Sequence, residues 1–191
     1  MSAARPSPPR YPPLPPGDAW VFAYGSLMWN PGFAPVESRP ALLRGYHRAF
    51  CIHSTLYRGT PEAPGLVLGL DRGGACRGIA HRIGARDREM VLTYLWNREM
   101  VYEVYAVRVL PVFLERHPPV QAVTFVANPA DPAYAGRLSP AHIAEVIARS
   151  RGQSGSNVEY LRDTVRHLDE LGIRAGKAHD VVALLEKGPR V

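Results

Sequence analysis

Two short stretches of this sequence combine residue types that could do chemistry, and the first is a glycine-containing turn. The apolar run of residues 20–23 is typical of a buried strand, and Tyr24-Gly25-Ser26-Leu27 follows it. Because glycine has no Cβ and can adopt positive φ, the amides of Gly25, Ser26 and Leu27 could point towards one small anionic or carbonyl group. The residue types alone fit equally well a core strand that ends in an ordinary turn.

The second stretch ends in a glutamate. From Arg86 onward apolar residues recur at helical spacing, and Glu99 falls at the C-terminal end of the predicted helix. A carboxylate there faces the negative end of the helix dipole, which raises its pKa. Since a helix that needs only stability would prefer a cation at that end, Glu99 is a candidate functional carboxylate. The alternative is a solvated surface glutamate.

Composition limits the classes of function. A chain of 191 residues with 46% apolar content is long enough for one well-buried domain, and its net charge of +6 reflects 23 lysines and arginines that form no long block. This spread favours small acidic ligands over nucleic acid. No apolar run approaches membrane-spanning length and no signal-peptide pattern is present, so we expect a cytoplasmic protein with no membrane partner. Cys51 and Cys76 lack the spacing of a disulfide framework or a metal site, so we expect no metal or other cofactor.

Turn residues and hydrophobic periodicity predict the strands. Seven of the nineteen prolines fall in residues 1–17, which we interpret as a disordered or polyproline arm ahead of a single catalytic domain at 18–191. About six strands are predicted in that domain. After the first, they cover residues 42–53, 66–70, 76–83, 101–109 and 120–127, with a hairpin turn at Asp71-Arg72-Gly73-Gly74.

Two helices are predicted after the last strand. Ser139 and Pro140 suit the N-cap and the first helical position of a helix that runs to about Arg151. Ser156 and Glu159 form the capping box of the next helix. Tyr160 lies off the buried stripe of that helix, so its ring could face a cleft or a neighbouring strand.

Taken together, these motifs resemble the ChaC-type gamma-glutamylcyclotransferases, a family that cleaves glutathione. The resemblance runs from about Trp20 to Leu171. The motifs that carry it are Phe22-Ala23-Tyr24-Gly25-Ser26-Leu27-Met28-Trp29, Arg58-Gly59-Thr60-Pro61 with Pro64-Gly65, Gly78-Ile79-Ala80-His81-Arg82, Tyr94-Leu95 through Arg98-Glu99, and Ser156-Asn157-Val158-Glu159-Tyr160-Leu161.

The resemblance implies a fold and a set of site residues. The fold is α+β, a small mixed and mainly antiparallel β-barrel with flanking helices. By the same resemblance Glu99 is the catalytic glutamate, the turn from Tyr24 to Leu27 binds the substrate, and Tyr160 lines the cleft. Arg58 is our candidate for binding a substrate carboxylate.

The chemistry of this family needs few protein groups. In a gamma-glutamyl peptide the free α-amine can attack the γ-carbonyl of the same molecule, which closes the ring of 5-oxoproline. Glu99 would take a proton from the α-ammonium and hand it to the departing amide nitrogen, while amides of the turn hold the oxyanion or the substrate carboxylate. Two alternatives stay open: the same reaction on other gamma-glutamyl amines or amino acids, and non-catalytic binding of gamma-glutamyl compounds.

Overall fold

Five strands form the sheet of this protein. In the computed structural model, which describes residues 9–100, 104–174 and 176–187, they are β1 (Ala19–Ala23), β2 (Glu37–Ser54), β3 (Gly65–Ile83), β4 (Tyr105–Leu114) and β5 (Val120–Ala127). They close into a barrel with the order β1-β3-β2-β4-β5. β1 pairs antiparallel with β3 but parallel with β5, so the barrel is mixed, as the sequence predicts.

The first strand is buried in the barrel and ends directly before the predicted turn. Val21, Phe22 and Ala23 are at most 1% exposed, and Thr124 of β5 donates a hydrogen bond to the carbonyl of Phe22 (Oγ1–O 3.1 Å). β4 and β5 pair along their length, from Tyr105 opposite Ala127 to Val112 opposite Val120. β1 itself pairs with β3 along its whole length, from Ala19 opposite Ile83 to Ala23 opposite Ile79, so its register is fixed and the residues that follow it start from a defined position.

The predicted hairpin at Asp71–Gly74 is wrong. The residues form the middle of β3, which continues from Gly65 to Ile83. Gly73 and Gly74 have positive φ (100° and 68°) inside the strand, which other residue types rarely adopt. Adjacent glycines are typical of hairpin turns, but here they let one long strand change its local conformation without ending.

The glutamate does end a helix. α1 (Arg88–Glu99) buries Val91, Leu92, Leu95 and Trp96, whereas Met90 is 67% exposed. Residues 101–103, the beginning of a predicted strand, lie outside the described residues, and β4 begins at Tyr105 and continues through Pro111.

The chain contacts divide it into two units, and α1 belongs to the first. This unit holds the residues up to Tyr46 and Arg72–Asn128, and the second holds His47–Asp71 and the residues from Pro129 onward. Residues 1–8 of the predicted arm lie outside the described residues, and residues 9–17 contain no helix or strand. The domain boundary after residue 17 stays a prediction.

Three helices belong to the second unit: α2 (Pro140–Arg149), α3 (Asn157–Glu170) and α4 (Gly176–Glu186). Both predicted N-caps are confirmed, because Ser139 accepts a hydrogen bond from the His142 amide and Ser156 forms the capping box with Glu159. Two short strands, β6 (Arg151–Gly152) and β7 (Gly155–Ser156), pair between α2 and α3. The residues of α4 carry no helix prediction from the sequence. No helix in the described part of the chain is long and apolar enough to cross a membrane.

Candidate active site

The residues after β1 form a short 3-10 turn, Ser26–Met28, with Gly25 as its N-cap. Gly25 has φ −130° and ψ −138°, so the prediction of positive φ at this glycine is wrong. A Cβ at Gly25 would meet no heavy atom within 4 Å. In the part of the chain that the structure describes, the amides of Gly25, Ser26 and Leu27 donate to no acceptor. These amides and the open space beside Gly25 are available to a ligand.

A buried histidine fixes the far side of this turn. His81 of β3 is 3% exposed, and burial lowers the pKa of its imidazole, which favours the neutral ring. Its Nε2 lies 3.0 Å from the Leu27 carbonyl oxygen and its Nδ1 lies 2.8 Å from Ser38 Oγ. In the neutral tautomer that satisfies both contacts, Nε2–H donates to Leu27 and Nδ1 accepts from Ser38. His81 therefore holds the Leu27 carbonyl on one side of the turn.

Gly78 explains the close approach of β3 to β1 at the same place. A Cβ on Gly78 would collide with the carbonyl oxygen of Ala23 and with the Phe22 ring. The motif of residues 78–82 thus has two structural tasks: a glycine that lets two strands approach closely and a histidine that holds the turn.

The Glu99 carboxylate is enclosed at the end of α1. Its side chain is 19% exposed, and burial raises the pKa of this carboxyl above its ordinary value of 4.5. Arg98, whose Nε lies 3.4 Å from Glu99 Oε1, acts in the opposite direction and lowers that pKa, but burial is the larger effect. The direction predicted from the sequence is confirmed, although its main cause is burial rather than the helix dipole.

Arg98 joins the turn to Glu99, and sequence reasoning missed its role. Its Nη2 donates to Ser26 Oγ (3.0 Å), and its Nη1 donates to the carbonyl of Asn30 (2.9 Å) and to the Tyr94 hydroxyl (3.0 Å). The same guanidinium therefore contacts the turn and the Glu99 carboxylate, so the structure brings these two predicted features together. The position of an arginine directly before a candidate carboxylate is the signal that could have identified it.

Arg58 and Tyr160, the other two predicted site residues, lie together in the second unit. Arg58 Cζ is 5.3 Å from the centroid of the Tyr160 ring, and its Nη1 donates to the Ser156 carbonyl (3.2 Å). The Tyr160 hydroxyl accepts a hydrogen bond from the Leu68 amide (3.3 Å), and Phe50 meets its ring edge-on. Both side chains thus have structural contacts within their own unit.

The loop that carries Arg58 is held by a buried asparagine and a pair of glycines. Asn157 is fully buried, and its amide side chain bonds both backbone groups of Leu66, with Oδ1 accepting from the amide (2.6 Å) and Nδ2 donating to the carbonyl (2.8 Å). A Cβ on Gly59 would collide with the Gly65 amide nitrogen, and a Cβ on Gly65 would collide with the Arg58 carbonyl. These contacts give a structural reason for glycine at both positions of the motif.

The residues of 9–100, 104–174 and 176–187 contain no group of three or more histidine, cysteine, aspartate or glutamate side chains that could hold a metal ion. Cys51 and Cys76 are both buried and form no disulfide among the described residues. The candidate site of the first unit is therefore described by a carboxylate, a guanidinium and a turn with available amides.

A closed mixed barrel with flanking helices is the fold of the gamma-glutamylcyclotransferases, and the structure of this chain has it. The family model described as "ChaC-like protein" matches residues 19–188, and this chain belongs to that family.

Individual relatives agree with this assignment. The chain is 37% identical over 171 residues to the glutathione-specific gamma-glutamylcyclotransferase of Escherichia coli, which covers 90% of this chain and 74% of the relative. It is 35% identical over 164 residues to the human glutathione-specific gamma-glutamylcyclotransferase 1, covering 84% of this chain and 74% of the relative. A crystal structure of the glutathione-specific gamma-glutamylcyclotransferase from yeast has a TM-score of 0.77 and 26% identity, over 89% of this chain and 95% of that one.

Proposed function

We propose that this protein is a glutathione-specific gamma-glutamylcyclotransferase, which converts glutathione to 5-oxoproline and cysteinylglycine with Glu99 as the group that transfers the proton. The relatives from Escherichia coli and from human carry this activity in their names. The observation that carries the assignment of Glu99 is its environment: the carboxylate is mostly buried, lies at the end of α1 and contacts the guanidinium that also bonds the turn.

The reaction is an internal transfer of an acyl group. The α-amine nitrogen of the glutamyl residue attacks its own γ-carbonyl carbon, a new C–N bond closes the ring, and the amide bond to cysteine breaks. Glu99 takes one proton from the α-ammonium, which frees the electron pair that attacks, and returns that proton to the departing nitrogen. The attacking nitrogen loses a second proton as the ring closes, which leaves the neutral lactam N–H, and the departing amine takes up a second proton to leave as the ammonium group of cysteinylglycine. The glutamyl group needs only to be held in the folded conformation, because the nucleophile and the carbonyl belong to one molecule.

Burial of Glu99 supports its role as a base. A carboxylate with an ordinary pKa is a weak base towards an ammonium group, and proton transfer becomes easier as the two pKa values approach each other. Burial moves the pKa of Glu99 in that direction. Arg98 keeps part of the carboxylate in the ionised form that the first step requires.

The turn after β1 is proposed as the anion-binding element. The amides of Gly25, Ser26 and Leu27 have no acceptor among the described residues, and preorganised amide donors of this kind contribute about 3 kcal/mol each to an oxyanion. Tyr24 precedes them at the end of the buried strand and is 8% exposed. We propose that these four residues bind the glutamyl part of the substrate.

Arg58 and Tyr160 are proposed to bind the substrate as well. Arg58 carries a positive charge suited to a carboxylate of the substrate, and the Tyr160 ring supports its guanidinium. A cytoplasmic location and the absence of nucleic-acid and membrane partners stay predictions from the sequence.

Chromatography of the products tests the proposed function. The purified protein is incubated with glutathione, and 5-oxoproline and cysteinylglycine are quantified over time. Both products should form in equal amounts, and Glu99→Gln should reduce their formation by at least about a hundredfold, because an amide cannot accept the proton. Glu89→Gln is the matched control, since Glu89 lies on the same helix and is exposed.

Parallel incubations with other gamma-glutamyl compounds separate the alternatives. Formation of 5-oxoproline from gamma-glutamyl amino acids but not from glutathione would replace the proposed substrate and keep the chemistry. Binding of glutathione without 5-oxoproline from any substrate would identify a non-catalytic binder and refute the proposal.

A further inference from the structure

A tyrosine outside the region matched by the family lies against the helix that carries Glu99. The Tyr11 hydroxyl donates a hydrogen bond to the carbonyl of Leu92 (2.7 Å), and its ring meets the Trp96 ring edge-on with the centroids 5.6 Å apart. The family match begins at residue 19, so this contact comes from a segment that the family model does not include.

Helical geometry places these contacts on the face of α1 that carries Glu99. Trp96 is four residues after Leu92, and Glu99 is three residues after Trp96, which is the spacing that brings side chains onto one face. Leu92 and Trp96 are 7% and 8% exposed. Tyr11 therefore packs about one helical turn from the carboxylate.

The segment is also held to α1 at a second point. Arg88 Nη1 donates to the carbonyls of Pro15 (2.6 Å) and Gly17 (3.0 Å) near the start of the helix. Between Gly17 and Tyr11 the contacts therefore move along α1 from its first residue towards Glu99. The segment runs antiparallel to the helix and places Tyr11 near its C-terminal end.

The two side chains interact electrostatically as well. Burial raises the pKa of the Tyr11 hydroxyl well above its ordinary value, and the negative charge of Glu99 raises it further. Two ionisable groups interact with the Glu99 carboxylate from different sides of the sequence, Arg98 beside it and Tyr11 from the N-terminal segment. Arg98 favours the ionised carboxylate, whereas an aromatic ring in place of water disfavours it.

We infer that Tyr11 is a positioning residue for Glu99: its ring excludes water from one side of the carboxylate and thereby sets the basicity with which Glu99 exchanges protons. This inference rests on the proposed function, because it takes Glu99 as the proton-transfer group. The ring supplies the exclusion of water, and the hydroxyl anchors the ring to the Leu92 carbonyl.

The test compares Tyr11→Ala and Tyr11→Phe with Pro13→Ala, all in the full chain. Pro13 is an exposed residue of the same segment and serves as the matched control. The quantity measured is kcat/KM for 5-oxoproline release from glutathione across a range of pH. Loss of the ring should lower the pKa of Glu99. The kcat/KM of Tyr11→Ala divided by the kcat/KM of the wild type should therefore rise by roughly threefold or more as the pH falls below the acidic limb of the wild-type profile. Tyr11→Phe should keep the wild-type shape of the profile, and Pro13→Ala should follow the wild type throughout.

A ratio for Tyr11→Ala that is constant across pH would overturn the inference, because a segment that only stabilises the fold does not move the acidic limb. A second measurement needs no turnover. Carbon-13 NMR of glutamate-labelled protein follows the Glu99 carboxyl, whose signal is identified by its loss in Glu99→Gln. Its titration midpoint should be lower in Tyr11→Ala than in the wild type, and an unchanged midpoint would contradict the inference. If glutathione is not cleaved at all, the proposed function fails, but this titration still decides the role of Tyr11.

Discussion

Replacing the buried carboxylate should make the protein more stable at neutral pH while it removes activity. The folded-state pKa of Glu99 is raised above its ordinary value of 4.5, so the folded state favours the protonated carboxyl. Stability from this group is complete below the pKa of the unfolded chain and is lost as the pH rises through the folded-state pKa. Glutamine stays neutral, so Glu99→Gln does not lose this stability.

The size of the effect follows from the same linkage. Each unit by which the folded-state pKa is raised costs about 1.4 kcal/mol once the group is ionised. The substitution also removes the ion pair with Arg98, which lowers the pKa of Glu99. The net shift of that pKa is nevertheless upward, because burial is the larger effect, so the loss of the ion pair is already counted. Arg98 also keeps its hydrogen bonds to Ser26 and Asn30 in the variant. We expect a gain on the order of 1 kcal/mol, which corresponds to roughly 2–4 °C in Tm for a chain of this size.

Thermal unfolding followed by circular dichroism between pH 4 and pH 8 measures this gain. The Tm of Glu99→Gln should exceed that of the wild type at pH 8, and the difference between the two Tm values should shrink towards pH 4. Glu89→Gln should show no such trend, since Glu89 is exposed on the first turn of α1. A variant that is less stable at pH 8, or a difference that does not change with pH, would refute the raised pKa of Glu99.

Three further substitutions test the rest of the site. Gly25→Ala should change the free energy of unfolding by less than about 1 kcal/mol, because the added Cβ has open space. The same variant should raise KM for glutathione about tenfold if the substrate occupies that space, and an unchanged KM would place the substrate elsewhere. Asn157→Ala should cost about 2–4 kcal/mol in urea unfolding, because both backbone groups of Leu66 lose their partner, whereas the exposed Asn97→Ala should cost little. Arg58→Ala should raise KM more than it lowers kcat, and equal kinetics to the wild type would limit Arg58 to its structural contacts.

Local sequence signals predicted the features whose interactions are local. The capping box of Ser156 and Glu159 is formed by residues three positions apart, so its pattern is visible in the sequence. The placement of Glu99 at a helix end follows in the same way from the period of the residues before it.

Contacts between distant residues were the ones that the sequence could not supply. The bond between His81 and Leu27 joins residues 54 positions apart, and the bond between Tyr11 and Leu92 joins residues 81 positions apart. The glycines at 73 and 74 show the same limit, because pairing of β3 with other strands, and not the local pattern, decides that the strand continues. The φ of Gly25 is likewise set by the turn as it is held in the fold.

The double hydrogen bond of Asn157 has a consequence for how α3 and β3 open. One side chain occupies both the donor and the acceptor of Leu66 at the start of β3, in the way that a neighbouring strand would. Asn157 and Leu66 are both fully buried, so when the first turn of α3 frays, two backbone groups lose their partner in a place that water does not reach. The start of α3 and the start of β3 should therefore open together, and their amide hydrogens should exchange with solvent at similar rates.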